Sequence, residues 1–376
     1  MKQKITILFT LLAMLVLSGC IKDEPLNMEA DIVSVNIEEG TFLTDPLITN
    51  STVFIYVKPG LYDLKKYKLD IEVTPGATIT PLSGSEQDFS GKVEYTVTSE
   101  DGQFQKKYKV SIIETSDSSV PTFFDFESFE IDADDKYTSF YDLINGHQVG
   151  NWSSGNLGFS LTLSIDPSAT KAPEAYPTLF TTDKRSGEYA VLMETKLTGA
   201  FGAAFKKPIA AGNLFLGSFD TAPLLSDPLK ATRFGLPFNK VPVALEGYYK
   251  YAAGAQVTDE NLKPVNMPDS CDIYAVFYNR EELIASTKKS YLDGTNVLTH
   301  PSVVAIARLE NGSPTKEGEF VKFTIPFNYI KEFNEEAVSN LGYNIAIVMS
   351  SSKYGDSFKG AVGSKLIVDD LKIITK

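Results

Sequence analysis

The chain has little of what most hydrolytic enzymes depend on. Of its 376 residues only two are histidine, two are cysteine and one is tryptophan. Zinc hydrolases gather His and Cys ligands at fixed spacings, and the isolated His147, His300 and Cys271 match none of them. A serine hydrolase needs a base beside its nucleophile. Gly355-Asp356-Ser357 looks like the start of an esterase motif, yet no histidine follows His300, so the segment reads as a polar loop between strands. No GxxxxGK[ST] stretch is present to cradle phosphate. Beyond Cys20 a single cysteine remains, which excludes an internal disulfide and leaves stability to core packing. Basic residues are also short, 35 against 48 acidic ones. The resulting net charge of −13 repels nucleic acid and anionic lipid heads and leaves neutral or cationic partners open.

The first twenty residues are more informative. Met1-Lys2-Gln3-Lys4 is basic, Ile5 to Leu17 is apolar, and Leu17-Ser18-Gly19-Cys20 follows. A membrane span needs about 20 apolar residues, so this shorter run with small residues after it is a secretory signal over 1–19. Its end resembles a bacterial lipobox. That resemblance implies cleavage before Cys20 and lipidation of the Cys20 thiol and amine, which would shift the net charge from −13 to −15 through loss of Lys2 and Lys4. Several acyl chains would hold the protein on a bilayer, since each buried methylene contributes about 0.8 kcal/mol. Ile21-Lys22-Asp23-Glu24 looks like the export signal of Gram-negative lipoproteins that face outward from the outer membrane.

Residues 20–30 read as a lipidated, flexible tether. From 31 to 114 the pattern is all-β. Tyr67 to Val73 alternates apolar and charged residues, and Val93–Val97 and Tyr108–Ile112 flank the turn signal Asp101-Gly102. This is a sandwich of immunoglobulin-like size. Ser-rich residues 115–120 read as a linker. From 121 to 376 strands again dominate, with candidates at Phe123–Phe126, Tyr189–Met193, Leu245–Tyr251, Ile273–Tyr278, Val303–Leu309, Phe320–Ile325, Asn344–Met349 and Leu366–Ile373. Helical periodicity is brief, near Glu281–Ser286 and Tyr329–Val338. The expected fold is all-β: an Ig-like sandwich followed by a larger jelly-roll sandwich.

Two stretches resemble known families. Leu69 to Gly76 and Tyr95 to Gly102 look like the Ig-like domains that stand next to the membrane in bacterial surface lipoproteins, which implies a spacer. In the second part Asn151-Trp152-Ser153-Ser154-Gly155-Asn156, Arg185-Ser186-Gly187-Glu188-Tyr189-Ala190, Asn213 to Phe219, Arg233 to Phe238, Leu245 to Tyr251 and Gly363 to Asp370 occur in order. Together they resemble the putative carbohydrate metabolism domain of envelope lipoproteins. The resemblance implies a jelly roll similar to carbohydrate-binding modules, and it leaves mechanism open because fold does not fix function.

Sugars stack their C–H faces on aromatic rings and bond their hydroxyls to planar polar groups. In Cys271–Tyr278 alternation puts Cys271, Ile273, Ala275 and Phe277 on one side and Asp272, Tyr274, Val276 and Tyr278 on the other. The first set reads as core and the second as an accessible face. Tyr249 and Tyr251 share a side, and Trp152 lies in a Ser/Gly/Asn loop. The expected site therefore has Tyr249, Tyr251, Tyr274 and Tyr278 stacking, Asp272 and Arg233 bonding hydroxyls, and Trp152 as a further platform. Tyrosine also fills half-buried strand positions, and an aromatic patch also suits a protein partner, so structural and adhesive readings stand beside the glycan. A glycosidase needs only two carboxylates and is neither indicated nor excluded. No cofactor is expected apart from a structural calcium ion. Jelly-roll modules of this kind often hold one between first and last strands, where Glu127 and an inward Asp369 could meet. The partners expected are a glycan, a membrane reached through the lipid anchor, and other surface polysaccharide-uptake proteins.

Overall fold

A computed structural model describes residues 26–36, 42–43, 46–57, 59–60, 62–115, 117–144, 147–316 and 318–376. Cys20 and the signal segment lie outside the described residues. Within them, no helix is long and apolar enough to cross a membrane.

The strands before residue 115 pair only with one another. Leu47–Ile48, Thr52–Val57, Gln105–Glu114, Val93–Thr98 and Thr78–Thr80 form a five-stranded sheet in that order. Ile32–Asn36 pairs with Asp70–Val73 to cover it. Val53, Ile55, Tyr95, Val97, Tyr108 and Val110 fill the space between. The alternating segment at Tyr67 breaks into two strands at Leu69, and the Asp101-Gly102 hairpin closes with Thr98 opposite Gln105.

Thr52–Val57 is a continuous apolar run, and a strand of that kind is buried on both faces. Val53, Ile55 and Val57 enter their own core, while Phe54 and Tyr56 join the core of the larger unit. Asn50 Nδ2 donates to Asp132 across the same seam at 2.8 Å. The N-terminal unit is thus packed against its neighbour. The segments flanking it are likewise fastened. Asn27 N donates to Glu100 and Ala30 is buried, while in the expected linker Ser118 Oγ donates to Pro237 O and Val120 is buried.

The larger unit is an all-β sandwich of jelly-roll type. One sheet runs Thr178–Thr181, Ala190–Glu194, Lys365–Thr375, Pro242–Ala252, Val321–Pro326, with Phe123–Phe124 added beside Lys365–Thr375. The other runs Trp152–Ser153, Asn213–Phe219, Tyr343–Ser350, Asp272–Asn279, Val303–Arg308, Asn328–Tyr329, with Thr232–Phe234 added beside Asn213–Phe219 and Leu236–Pro237 beside Tyr343–Ser350, eight strands in all. Their inner faces interdigitate through Leu245, Phe277, Ile345, Ile347, Val368 and Leu371. The helix near 281 forms at Arg280–Thr287, where Asn279 caps the Glu282 N–H at 2.9 Å and Glu281 and Glu282 suit the positive end of the dipole. Of the region from Tyr329 to Val338 only Glu335–Ser339 is helical.

Candidate functional site

Alternation along Asp272–Asn279 holds as read from the sequence. Cys271, Ile273, Ala275 and Phe277 belong to the inner core, and Tyr274, Val276 and Tyr278 to a separate cluster on the outer face. That outer face is not open along its length. The segment from Leu283 to Val303 folds over it, burying Leu283, Leu292 and Val297 against Val276 and Tyr278.

Most of the expected stacking face is therefore structural. Tyr278 is 0% exposed, and its hydroxyl donates to Phe234 O at 2.8 Å and accepts from Asn344 Nδ2 at 2.9 Å. Gly235 lies at φ +101°, and a Cβ there would fall 2.3 Å from the Tyr278 hydroxyl, which is why the strand can pass so close. Tyr249 and Tyr251 do share a side, but it is the inner one, with both rings in the core. Trp152 is buried on a short strand, packed edge-on against Phe124 at 5.0 Å, with Nε1 donating to Asp142 at 3.3 Å. Arg233 is bound to Asp220 and lies over the Tyr291 ring. The four rings present no free surface to a sugar, and Arg233, its side chain 33% exposed, is held by Asp220 and Tyr291. An amphipathic ring fills sandwich cores and rims equally well, and alternation does not say which face is roofed.

Glu127 and Asp369 both bond to one turn. Glu127 Oε1 accepts the N–H groups of Glu188 and Tyr189 at 2.9 and 3.2 Å, and Asp369 Oδ2 accepts those of Arg185 and Ser186 at 2.7 and 3.1 Å. Gly187 sits between them at φ +62°, where a Cβ would collide with Glu127 Oε1. Burial pushes the Asp369 carboxyl up from its ordinary range, against the pull of these N–H groups. One oxygen of each carboxylate thus holds the 185–189 turn. Among the described residues no group of three or more His, Cys, Asp or Glu is arranged for a metal. Asp369 also does not share the face of Leu371 and Ile373. Leu366 and Val368 point to the core, and Asp370 at φ +49° then shifts the phase by one before Leu371.

What remains of the predicted site is the end at Asp272 and Tyr274, which are 5% and 8% exposed. Asp272 and Tyr274 line a cavity of about 440 Å3 on the outer face of the eight-stranded sheet. This lies inside the range of about 300–1,000 Å3 usual for small-molecule sites. Arg308, opposite Tyr274 across the strand pair, donates Nε and Nη2 to the two Asp272 oxygens at 3.0 and 2.6 Å, a bidentate pair. Its guanidinium also lies 5.5 Å from the centroid of the Tyr274 ring. Lys353 and Asp356 edge the same end, contributed by the stretch holding Gly355-Asp356-Ser357.

Another wall is built by two helices that the strand pattern concealed, Asn156–Ile165 and Gly199–Ala204. The first is Gly-containing with β-branched and Ser positions, and Phe159 anchors it on Tyr176. The second sets Phe201 and Phe205 four residues apart with ring centroids 5.0 Å apart, and Phe205 is 44% exposed. That spacing is a signal the sequence did carry. Lys207 Nζ donates to Leu225 O at 3.1 Å and so ties this rim to the 220–229 loop. A second cavity of about 770 Å3 lies at the seam of the two units. Its Trp152, Tyr137 and Phe140 are buried, and Lys106, Lys107 and Asp132 are engaged with Asp31, Glu94 and Asn50. It also holds the half-buried Tyr141 and the exposed Lys109, so the smaller cavity is set apart by its exposed Phe205 ring and the bidentate Arg308–Asp272 pair.

Residues 125–374 match the family model described as "Putative carbohydrate metabolism domain". The chain belongs to this family. Ahead of the carbohydrate metabolism domain, residues 31–112 match the model described as "SGBP, N-terminal". A crystal structure from Bacteroides thetaiotaomicron, described as a putative glycoside hydrolase, is 40% identical with a TM-score of 0.83, covering 94% of this chain and 99% of that one. A second, also described as a putative glycoside hydrolase and from Bacteroides vulgatus, is 37% identical with a TM-score of 0.62, covering 69% of this chain and all of that one. No curated protein matches the chain.

Proposed function

We propose that this member of the carbohydrate metabolism domain family binds a glycan, without cleaving it, in the outer-face cavity of its larger sandwich. The observation that carries the reading is the pairing of the exposed Phe205 ring and the half-buried Phe201 ring with the Arg308–Asp272 pair in one concave site. Rings suit the C–H faces of pyranoses, and a planar charged pair suits their hydroxyls. The match of its N-terminal unit to that of surface glycan-binding proteins supports a place at the cell surface. There the chain is tethered to the outer membrane through lipid on Cys20, with polysaccharide-uptake proteins as neighbours. Intact-mass analysis and detergent partitioning of the native protein test the tether.

Glycan-array binding of the full chain, with and without Phe205→Ala, tests the site. Because Phe205 is exposed, its removal is expected to lower affinity at least tenfold with an unchanged melting temperature. Undiminished binding by Phe205→Ala rules the cavity out. Hydrolysis, which the names of the two relatives raise, needs two carboxyl groups flanking one bond. Asp272 and Asp356 both line the cavity, but both Asp272 oxygens accept from Arg308. Reducing-end release by the native protein that is lost in Asp356→Asn would replace binding with catalysis.

A further inference from the structure

The cavity is not uniformly suited to sugar. Its polar groups gather at the sheet end, where Arg308 keeps Nη1 for a ligand after spending Nε and Nη2 on Asp272, and where Lys353 is in no ion pair among the described residues. Another wall is made by the helix Asn156–Ile165, the helix Gly199–Ala204 and the 220–229 loop, and it adjoins the 353–358 stretch where Lys207 lies 5.8 Å from the centroid of the Phe358 ring. Leu161, Phe205 and Leu225 stand there at 38%, 44% and 45% exposure. The hydroxyls set into this wall are already committed. Thr162 Oγ1 donates to Phe159 O at 2.7 Å, Thr198 Oγ1 to Lys207 O at 2.5 Å, and Thr232 Oγ1 to Leu229 O at 3.3 Å.

A pyranose seated against that wall would lose water from several hydroxyls and find one proton donor with an N–H to spare, Lys207, whose other two go to Phe205 O and Leu225 O. An unpaired buried hydroxyl is costly, whereas an apolar group in the same place gains from leaving water. The ligand part that lies here therefore carries at most one hydroxyl. From this separation of polar floor and apolar wall we infer that the cavity takes a pyranose bearing an apolar substituent, an aryl or short acyl group, with the sugar on Arg308 and Asp272 and the substituent against Leu161, Phe205 and Leu225. This rests on the glycan reading above and narrows its ligand class. Aryl aglycones and ester-linked acyl groups share the chemistry, and separate probes distinguish them.

The test is calorimetric titration of the full chain with matched pairs: methyl and 4-nitrophenyl β-glycosides of glucose, galactose and xylose, and the 6-O-acetyl and 6-O-butyryl esters of the methyl hexosides. The 4-nitrophenyl or butyryl member of at least one pair is expected to bind tenfold or more tighter than its methyl partner. In the double variant Leu161→Asn, Leu225→Asn that ratio is expected to fall below about threefold, with circular dichroism confirming the fold. Equal affinity within every pair, or no binding by any substituted member, overturns the inference, while the glycan reading is judged separately by the array. Binding of 4-nitrophenol alone as tightly as its glycosides overturns both, because the sugar would then contribute nothing.

Discussion

The two faces of the eight-stranded sheet obey the same alternation and come to different ends. On Asp272–Asn279 the inner residues Ile273, Ala275 and Phe277 meet a second sheet and are 0% exposed throughout. The outer residues change character along the strand. Tyr278 is sealed under the segment from Leu283 to Val303, Val276 is covered, and Tyr274 and Asp272 come out at the cavity. The period of a strand assigns sides, but what lies on each side is set by segments distant in sequence. On the inner face that cover is another sheet and is complete. On the outer face it is loop and helix, and it stops short, which is where a site can exist.

The largest expected contrast comes from truncating the inner face. Phe277 is stacked on Tyr343 at 5.1 Å within the central core. Phe277→Ala is expected to cost about 3–5 kcal/mol, the usual range for a buried ring lost from a packed core. Urea unfolding of the variant beside the native chain measures it. A cost under 1 kcal/mol would mean that the inner face is no better packed than the outer one.

How far the sequence shows this follows from the same distinction. Strand positions, the two sandwiches and the side on which each Asp272–Asn279 residue lies follow from local alternation. Burial of Tyr249, Tyr251 and Trp152 does not, because it depends on which sheet each side meets. Asp272 and Tyr274 were legible as site residues since they end an apolar strand with a polar–aromatic pair. Arg308 was not, because only the register of Val303–Arg308 against Asp272–Asn279 brings it alongside. The walls were hidden for another reason. Asn156–Ile165 and Gly199–Ala204 interrupt their Leu and Ala with Gly, Ser, Thr or Phe and have no side-chain N-cap bond, and at 10 and 6 residues they persist through packing on their neighbours.

The inner face has one polar edge, and it gives the next contrast. At Trp152–Ser153 the Asp142 carboxylate accepts from Trp152 Nε1 and, at 2.9 Å, from Asn151 Nδ2, with no lysine or arginine paired to it among the described residues. Burial pushes this carboxyl up to about 7 from an ordinary 3.8, against those two donors. Between these values the folded chain holds a proton that the unfolded chain has lost. Stability from this group is therefore present in full near the ordinary carboxyl value, falls as pH rises toward 7, and is level above it. Over that window the loss is about 2–4 kcal/mol. Asp142→Asn keeps an acceptor without the charge, so its melting temperature is expected to exceed that of the native chain at pH 8 and to converge with it near pH 4. Parallel melting curves at both pH values for the two proteins would show instead that the edge is well solvated.

The smallest contrast probes the roofed end of the outer face. If the cover over Tyr278 is as complete as that over Phe277, the Tyr278 hydroxyl matters for its bonds alone. Removing it in Tyr278→Phe keeps the ring and deletes the donor to Phe234 O and the acceptor for Asn344 Nδ2. Asn344 Nδ2 still reaches Ser290 O at 2.9 Å, so only part of the network is orphaned. The expected cost is about 1–2 kcal/mol, between a net hydrogen bond and an unsatisfied buried group. Glycan affinity is expected to stay within twofold, because the ring is walled off from the cavity at Tyr274. A large fall in affinity with unchanged stability would place Tyr278 at the ligand and show that the segment from Leu283 to Val303 opens.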